Sequence, residues 1–109
     1  MNRNYALGRL PAGKMNKTEA AYAQELELRR RAGDILWYKF EGLKLRLADN
    51  CFLTPDFFVM GSNYELEVVE IKGYWTDDAR AKTKIAASMY PFKFTAIKKV
   101  KGGWESEEF

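Results

Sequence analysis

The stretch between Phe52 and Lys72 constrains the fold of this chain more than any other part of it. Two runs rich in apolar residues, 52–60 and 64–72, lie on either side of the triplet Gly-Ser-Asn at 61–63. Short apolar runs that flank such a turn-forming triplet are typical of a β-hairpin whose strands are buried in a sheet. We therefore expect a core that is built around this hairpin.

The segment before the hairpin predicts a helix and two strands. Asn16 followed by Glu19 has the form of a capping box, which predicts a helix over 17–32. Period-two alternation begins at Ile35 and continues from Leu43, so we expect two strands here, paired as a hairpin.

The segment after the hairpin predicts a crossover. An Ala-rich helix is expected over 78–90 and a strand over 92–100. A succession of strand, helix and strand favours a parallel pairing of the two strands. The expected fold is therefore α/β around a mixed central sheet, with a core order α-β-β-β-α-β that takes three of the four strands predicted before the second helix.

The 109 residues leave room for one domain with one hydrophobic core. We expect residues 1–15 to form a basic flexible arm, 16–101 the folded domain and 102–109 a loose acidic tail. A frayed terminus without function is an equally good interpretation of the arm.

The composition excludes several kinds of chemistry. The chain has no histidine and a single cysteine, Cys51, so it cannot form an internal disulfide, a zinc site of the usual Cys/His composition, or a catalytic triad with histidine. Any metal must be held by oxygen ligands.

The net charge of +3 is a mild indication of an anionic partner. Because no apolar run approaches the roughly 18 residues of a membrane span and 1–11 lacks a signal-peptide core, we expect a soluble, cytoplasmic protein without a membrane partner, in the host cytoplasm if a phage encodes it.

Charged residues end the second strand of the central hairpin. Glu70 and Lys72 follow Val68 on the same face and lie roughly 7 Å apart. Folding the hairpin about its turn places Asp56 beside Glu70, and two carboxylates at the end of paired strands suit Mg²⁺ or Mn²⁺. The alternative is an ordinary exposed ion pair, but unpaired charge in a buried strand pair is costly unless it binds something. We therefore favour a functional site.

Each residue of this site has an expected role in phosphodiester chemistry. Asp56 and Glu70 would bind the metal, and the Ile71 carbonyl would add a ligand if the strand is locally splayed. Lys72 would position or help to deprotonate the attacking water and would stabilise the charge that develops on phosphorus.

These residues resemble a known signature. Thr-Pro-Asp-Phe at 54–57 followed by Glu-Ile-Lys-Gly at 70–73 resembles the motif of the PD-(D/E)XK nuclease superfamily. The continuation through residue 82 is similar to small phage nucleases, including the endonuclease I type of Holliday-junction resolvase, and the resemblance spans roughly residues 17–99. It implies a restriction-endonuclease-like fold and Mg²⁺-dependent cleavage of DNA, with branched or structured DNA as the expected substrate. Because junction resolution needs two active sites, a homodimer is a further possibility that the resemblance implies. The alternative function is a non-catalytic nucleic-acid-binding module with the same fold.

Further residues are candidates for the site and for DNA binding. The first helix of this superfamily often supplies another acid, and Glu19 is the candidate here, although a capping role explains it equally well; Glu41 has a weaker claim. Phosphate contacts are expected from basic residues, and base stacking from a tryptophan, although solubility and core packing are the alternatives. The DNA-binding candidates are Arg80, Lys82, Lys84 and Trp75, with Lys98, Lys99, Lys101 and the basic arm in addition.

Overall fold

A computed structural model describes residues 13–109 of the chain, and the remainder of the predicted basic arm lies outside the described residues. The helices and strands are α1 (Lys17–Ala32), β1 (Ile35–Phe40), β2 (Leu45–Ala48), β3 (Cys51–Leu53), β4 (Phe57–Gly61), β5 (Leu66–Ile71), α2 (Asp77–Met89), β6 (Lys93–Val100) and β7 (Gly103–Glu108). Five strands form one sheet in the order β1-β4-β5-β6-β7, and β2 and β3 form a separate two-stranded sheet. The predicted α/β class and mixed sheet are confirmed.

The pairing within the main sheet follows from the connections between its strands. β4 is antiparallel to both β1 and β5, and β5 is parallel to β6 because α2 carries the chain back across the sheet. The predicted central hairpin is present, with Phe57 opposite Val69. Along the chain five strands lie between α1 and α2, and three of them, β1, β4 and β5, belong to the main sheet together with β6 and β7.

Two predictions about the early strands are wrong. β1 pairs with β4 and not with β2, because the chain turns out of the sheet at Glu41, which has the left-handed φ of 49°. The strand expected over 52–60 is divided into β3 and β4, with Pro55 between them. Proline has no N–H group with which to continue the pairing of a strand.

The expectation of a loose acidic tail is also wrong. Residues 103–108 form β7, which is antiparallel to β6 after a turn at Gly102, where φ is 82°. Glu105 lies opposite Lys98, and Trp104 packs on Tyr22 with ring centroids 5.0 Å apart. Cross-strand pairs of opposite charge and aromatic contacts stabilise such an edge strand. The folded part of the chain therefore continues beyond residue 101 to the end of β7.

The hydrophobic core has two layers, one on each face of the main sheet. On one face α1 packs Tyr22 and Leu26 against strand residues that include Val69. On the other face, the β2–β3 hairpin and α2 cover a second cluster that includes Val68. Successive residues of a strand point to opposite faces, so Val68 and Val69 place β5 in contact with both layers. β5 is consequently buried on both sides up to Glu70, which is 4% exposed. Neither α1 nor α2, the helices of the described residues 13–109, combines the length and the apolar character of a membrane span.

Candidate active site

Asp56 and Glu70 face each other at the end of the β4–β5 pair. The register places Phe57 opposite Val69, so the next pair in the same register is Asp56 and Glu70. The Oδ2 atom of Asp56 accepts a hydrogen bond of 2.7 Å from the N–H group of Ile71. The structure thus brings together the two acids that the sequence predicted to converge.

Glu19 joins these two acids from the first turn of α1. Its Oε1 atom accepts a 2.9 Å hydrogen bond from the N–H group of Asn16, whose Oδ1 atom accepts a 2.8 Å bond from the N–H group of Glu19. The Glu19 carboxyl also lies within hydrogen-bonding reach of the Asp56 carboxyl. A role in the capping box and a role as an inward-facing acid were predicted as alternatives for Glu19. In the structure Glu19 forms the capping box and also lies beside Asp56.

Burial is the main cause that raises the pKa of each of the three carboxyl groups, and repulsion from a neighbouring carboxylate adds to it, whereas hydrogen bonds within the cluster lower the pKa of Asp56 and Glu70. Burial, with repulsion from Glu70, raises the pKa of Asp56 from 3.8 to about 7. Burial also raises the pKa of Glu19 to about 7, with a smaller contribution from Asp56. Burial raises the pKa of Glu70 although Lys72 opposes the shift. Such shifts mark a place where a positive charge would stabilise the ionised carboxylates.

Asp56 and Glu70 fit a hard divalent cation by the chemistry of their donor atoms. Both offer only oxygen, the donor that Mg²⁺ prefers, and Mg²⁺ usually keeps several waters when one or two carboxylates bind it. Within residues 13–109, no three Asp, Glu or Cys side chains are grouped so as to hold a metal by themselves. A cation at this pair would therefore complete its coordination with water and substrate oxygens. The contact found for Ile71 is through its N–H group, and a role for its carbonyl stays a prediction.

Lys72 extends β5 beyond Glu70 and is held by its backbone and by an aromatic ring. Its N–H group donates to the Ile97 carbonyl at 2.8 Å, which continues the parallel pairing of β5 with β6. Its Nζ atom lies 5.7 Å from the ring centroid of Trp75. The ammonium is close enough to Asp56 and Glu70 to oppose the rise of pKa at both. The structure therefore groups an amine with the acid pair, as predicted.

Glu41 lies at the margin of this cluster. Its N–H group donates to the Asp56 carbonyl at 2.8 Å, and its Oε1 atom accepts a 2.9 Å bond from the N–H group of Gly13. Its charge contributes to the raised pKa of Glu19. Glu41 is exposed to solvent, and its main contact with the site is through the backbone.

Three of the predicted DNA-binding residues, Arg80, Lys82 and Trp75, are engaged within the protein. Arg80 forms a two-point ion pair with Glu107 of β7, with NH1 and Oε1 3.1 Å apart. Lys82 donates to the Phe52 carbonyl at 3.0 Å and so fixes α2 on the β2–β3 hairpin. Trp75 is half-buried and packs against Phe109, with centroids 5.5 Å apart. Lys84, in contrast, is exposed on α2.

Sequence reasoning missed a cleft beside Lys72. The cleft has a volume of about 410 Å³ and lies between the 73–75 loop and β7, and its lining includes neither Asp56 nor Glu70. Its far wall belongs to the segment that was expected to be a loose tail. The Gly-Gly pair at 102–103, which directly follows the alternating run of β6, is the turn signal that could have predicted this hairpin.

Comparisons of the chain with family models, with curated proteins and with solved structures give no match. The function is therefore argued from the residues of the site. Two crowded carboxylates and one amine at the end of a buried strand pair can bind a divalent cation and an anionic oxygen substrate together.

Proposed function

We propose that this protein is a Mg²⁺- or Mn²⁺-dependent endonuclease that hydrolyses phosphodiester bonds in DNA, with branched or structured DNA as its substrate. The observation that carries the proposal is the opposition of Asp56 and Glu70 at the end of β4 and β5, with Lys72 two residues beyond Glu70. Resolution of a junction would require two such sites and hence a homodimer.

The architecture supports the proposal at the level of fold. We propose that α1, β1, β4, β5, α2 and β6 correspond to the α-β-β-β-α-β core of the restriction-endonuclease-like fold, with the β2–β3 hairpin and β7 as additions. The residues of the PD-(D/E)XK-like motif then lie at the ends of the two central strands. Fold alone does not determine function, and the residues of the site carry the assignment.

The side chains of the site have distinct tasks in this proposal. Asp56 and Glu70 hold the cation, and the Ile71 N–H group fixes the orientation of the Asp56 carboxylate. Lys72 directs its ammonium toward the same point, where it orients the attacking water and stabilises charge on the phosphate. When bound, the cation supplies Lewis-acid stabilisation of that charge. The water oxygen bonds to phosphorus, the bond to the leaving sugar oxygen breaks, and the two protons of the water pass to the leaving oxygen and to solvent.

The proposal is tested first by cation binding. Calorimetric titration with Mn²⁺ is expected to show binding to the wild type, and Asp56→Asn and Glu70→Gln are expected to abolish it. Asp49→Asn is the matched control because Asp49 is an exposed residue of the β2–β3 turn, in the small sheet that is separate from the β4–β5 pair. Equal binding by Asp56→Asn and the wild type would contradict the assignment of the ligands.

Cleavage is tested on supercoiled plasmid, linear duplex and a four-way junction, each with and without Mg²⁺. Cation-dependent cleavage that both variants lose is expected, with the junction cut fastest. Binding of the junction without cleavage under any of these conditions would contradict the nuclease and would favour the non-catalytic nucleic-acid-binding module.

A further inference from the structure

The main sheet forms the floor of the cleft beside Lys72, and this floor extends toward the carboxylate site. Ala96 of β6 forms part of that floor, and the register places it between Glu70 of β5 and Glu107 of β7. Ala96 is buried, and its side chain is a single methyl group, which leaves space above the sheet. The cleft therefore begins one strand away from Glu70 and extends to the edge strand β7.

The lining of the cleft combines three kinds of group. Lys72 and Lys98 supply positive charge, and Tyr74, whose side chain is 80% exposed, supplies an aromatic ring at the rim. Ser106 and Glu105 supply hydrogen-bonding oxygens on the β7 side. The wall has two acids, and each lies beside a cation: Glu107 forms an ion pair with Arg80, and Glu105 lies opposite Lys98, so the lining does not repel an anion as a whole.

We propose that this cleft binds one unpaired nucleotide of a DNA strand, and its position next to the scissile phosphate rests on the proposed nuclease function. Lys98 donates to a phosphate of the strand, the base stacks on Tyr74, the Ser106 hydroxyl accepts or donates a hydrogen bond at the base edge, and the Glu105 carboxylate accepts one. Nucleotide recognition outside a duplex commonly combines cationic contacts to the backbone with aromatic stacking of the base.

The size of the cleft favours an unpaired nucleotide over a base pair. A volume of about 410 Å³ is at the lower end of the range of small-ligand sites, which suits one nucleotide and is too small for a stacked pair. A base inside a duplex has both faces covered by its neighbours, so it has no face for Tyr74 until it leaves the stack. The substrate class that follows is DNA with unpaired residues near the cut, such as junctions, flaps and single strands.

The test measures binding without catalysis. A fluorescein-labelled oligothymidylate of about ten nucleotides, within the usual site size for single strands, is titrated with protein in EDTA and followed by anisotropy. Tyr74→Ala and Lys98→Ala are each expected to weaken binding, the first by about 5- to 150-fold, the range for loss of one stacking aromatic ring. Both residues are exposed, so neither variant removes a core side chain.

Tyr64→Ala and Lys93→Ala are the matched controls. Tyr64 is 76% exposed, and both residues line a depression that shares no residue with this cleft. The controls are expected to bind like the wild type, and thymidine monophosphate is expected to compete for the cleft where inorganic phosphate at the same concentration does not. The proposal would be overturned if the wild type did not bind the oligonucleotide, or if the two cleft variants bound it like the wild type. It would also be overturned if the control variants lost as much affinity as the cleft variants, or if inorganic phosphate competed as well as thymidine monophosphate.

The two proposals fail separately. A wild-type protein that binds no Mn²⁺ would contradict the nuclease but would leave its oligonucleotide affinity in EDTA unchanged. Cleft variants that bind single strands like the wild type contradict the nucleotide site, while cation-dependent cleavage of DNA would still stand.

Discussion

Replacing Asp56 by Asn is expected to stabilise the metal-free protein, although Asp56 belongs to the proposed site. The folded protein holds this carboxyl opposite Glu70, and burial with that repulsion raises its pKa to about 7. Asn has nearly the same shape, and its Oδ1 atom can still accept the hydrogen bond from the Ile71 N–H group. The substitution therefore removes the unfavourable charge and keeps the contact.

The size of the effect follows from the shift of the pKa. The pKa of Asp56 rises from 3.8 to about 7, and each pKa unit corresponds to about 1.4 kcal/mol. The upper bound is thus about 4 kcal/mol at pH 8. Asn also gives up the attraction of Asp56 to Lys72, so we expect a gain of about 2–4 kcal/mol, or roughly 8–16 °C in Tm.

The sign of the pH dependence is a separate check. When folding raises the pKa of a carboxyl group, the protonated form of that group contributes to stability. The contribution is lost as pH rises and the group ionises in the folded protein. The wild type therefore loses this contribution as pH rises from about 4 through about 7, whereas Asp56→Asn does not. Thermal unfolding is followed by circular dichroism in EDTA at pH 5 and pH 8, with the exposed Asp49→Asn as the control. An Asp56→Asn variant that unfolds at or below the wild-type temperature at pH 8 would refute the reasoning.

Three other predictions concern the amine, the helix surface and the core. Lys72→Ala is expected to bind junction DNA like the wild type but to cut it about 100-fold or more slowly in a single-turnover assay; an unchanged rate would remove Lys72 from the mechanism. Hydrogen bonds, the largest from Arg30, lower the pKa of Glu27 to about 2, so its contribution is present above pH 4.5 and lost as pH falls toward 2. Glu27→Gln should therefore lower urea stability at pH 7 and leave it unchanged near pH 2. Leu26→Ala, at a residue 1% exposed, is expected to cost about 2–5 kcal/mol in the same assay, whereas Leu28→Ala, at a residue 64% exposed, should change stability by less than about 0.5 kcal/mol.

The central hairpin could be predicted from sequence because its determinants are local. The apolar runs and the turn at 61–63 specify both the pairing of β4 with β5 and the approximate register. The proximity of Asp56 and Glu70 follows from that register. The start of α1 was equally accessible, since the capping box between Asn16 and Glu19 spans three residues.

Features that depend on distant parts of the chain could not be predicted in this way. The pairing of β1 with β4 joins segments separated by the whole β2–β3 hairpin, and local alternation does not indicate the partner of a strand. Arg80 was expected to contact phosphate because it is a basic residue of the second helix. Its partner Glu107 is 27 residues away, in a segment whose acidic composition suggested solvent exposure. Glu105 of the same segment lies opposite Lys98 of β6 and is likewise part of the sheet.

The carboxylate cluster depends on the rigidity of the strands that present it. Like charges separate when the backbone can move, but Phe57 and Val69, the pair next to Asp56 and Glu70, are 0% and 1% exposed and are packed in the core. Glu19 is held as well, because its capping box fixes the first turn of α1 above the sheet. The repulsion among these acids is therefore sustained by packing elsewhere, and a divalent cation would relieve it on binding. On this reasoning the substitutions that most stabilise the metal-free protein are those that most weaken its affinity for the cation.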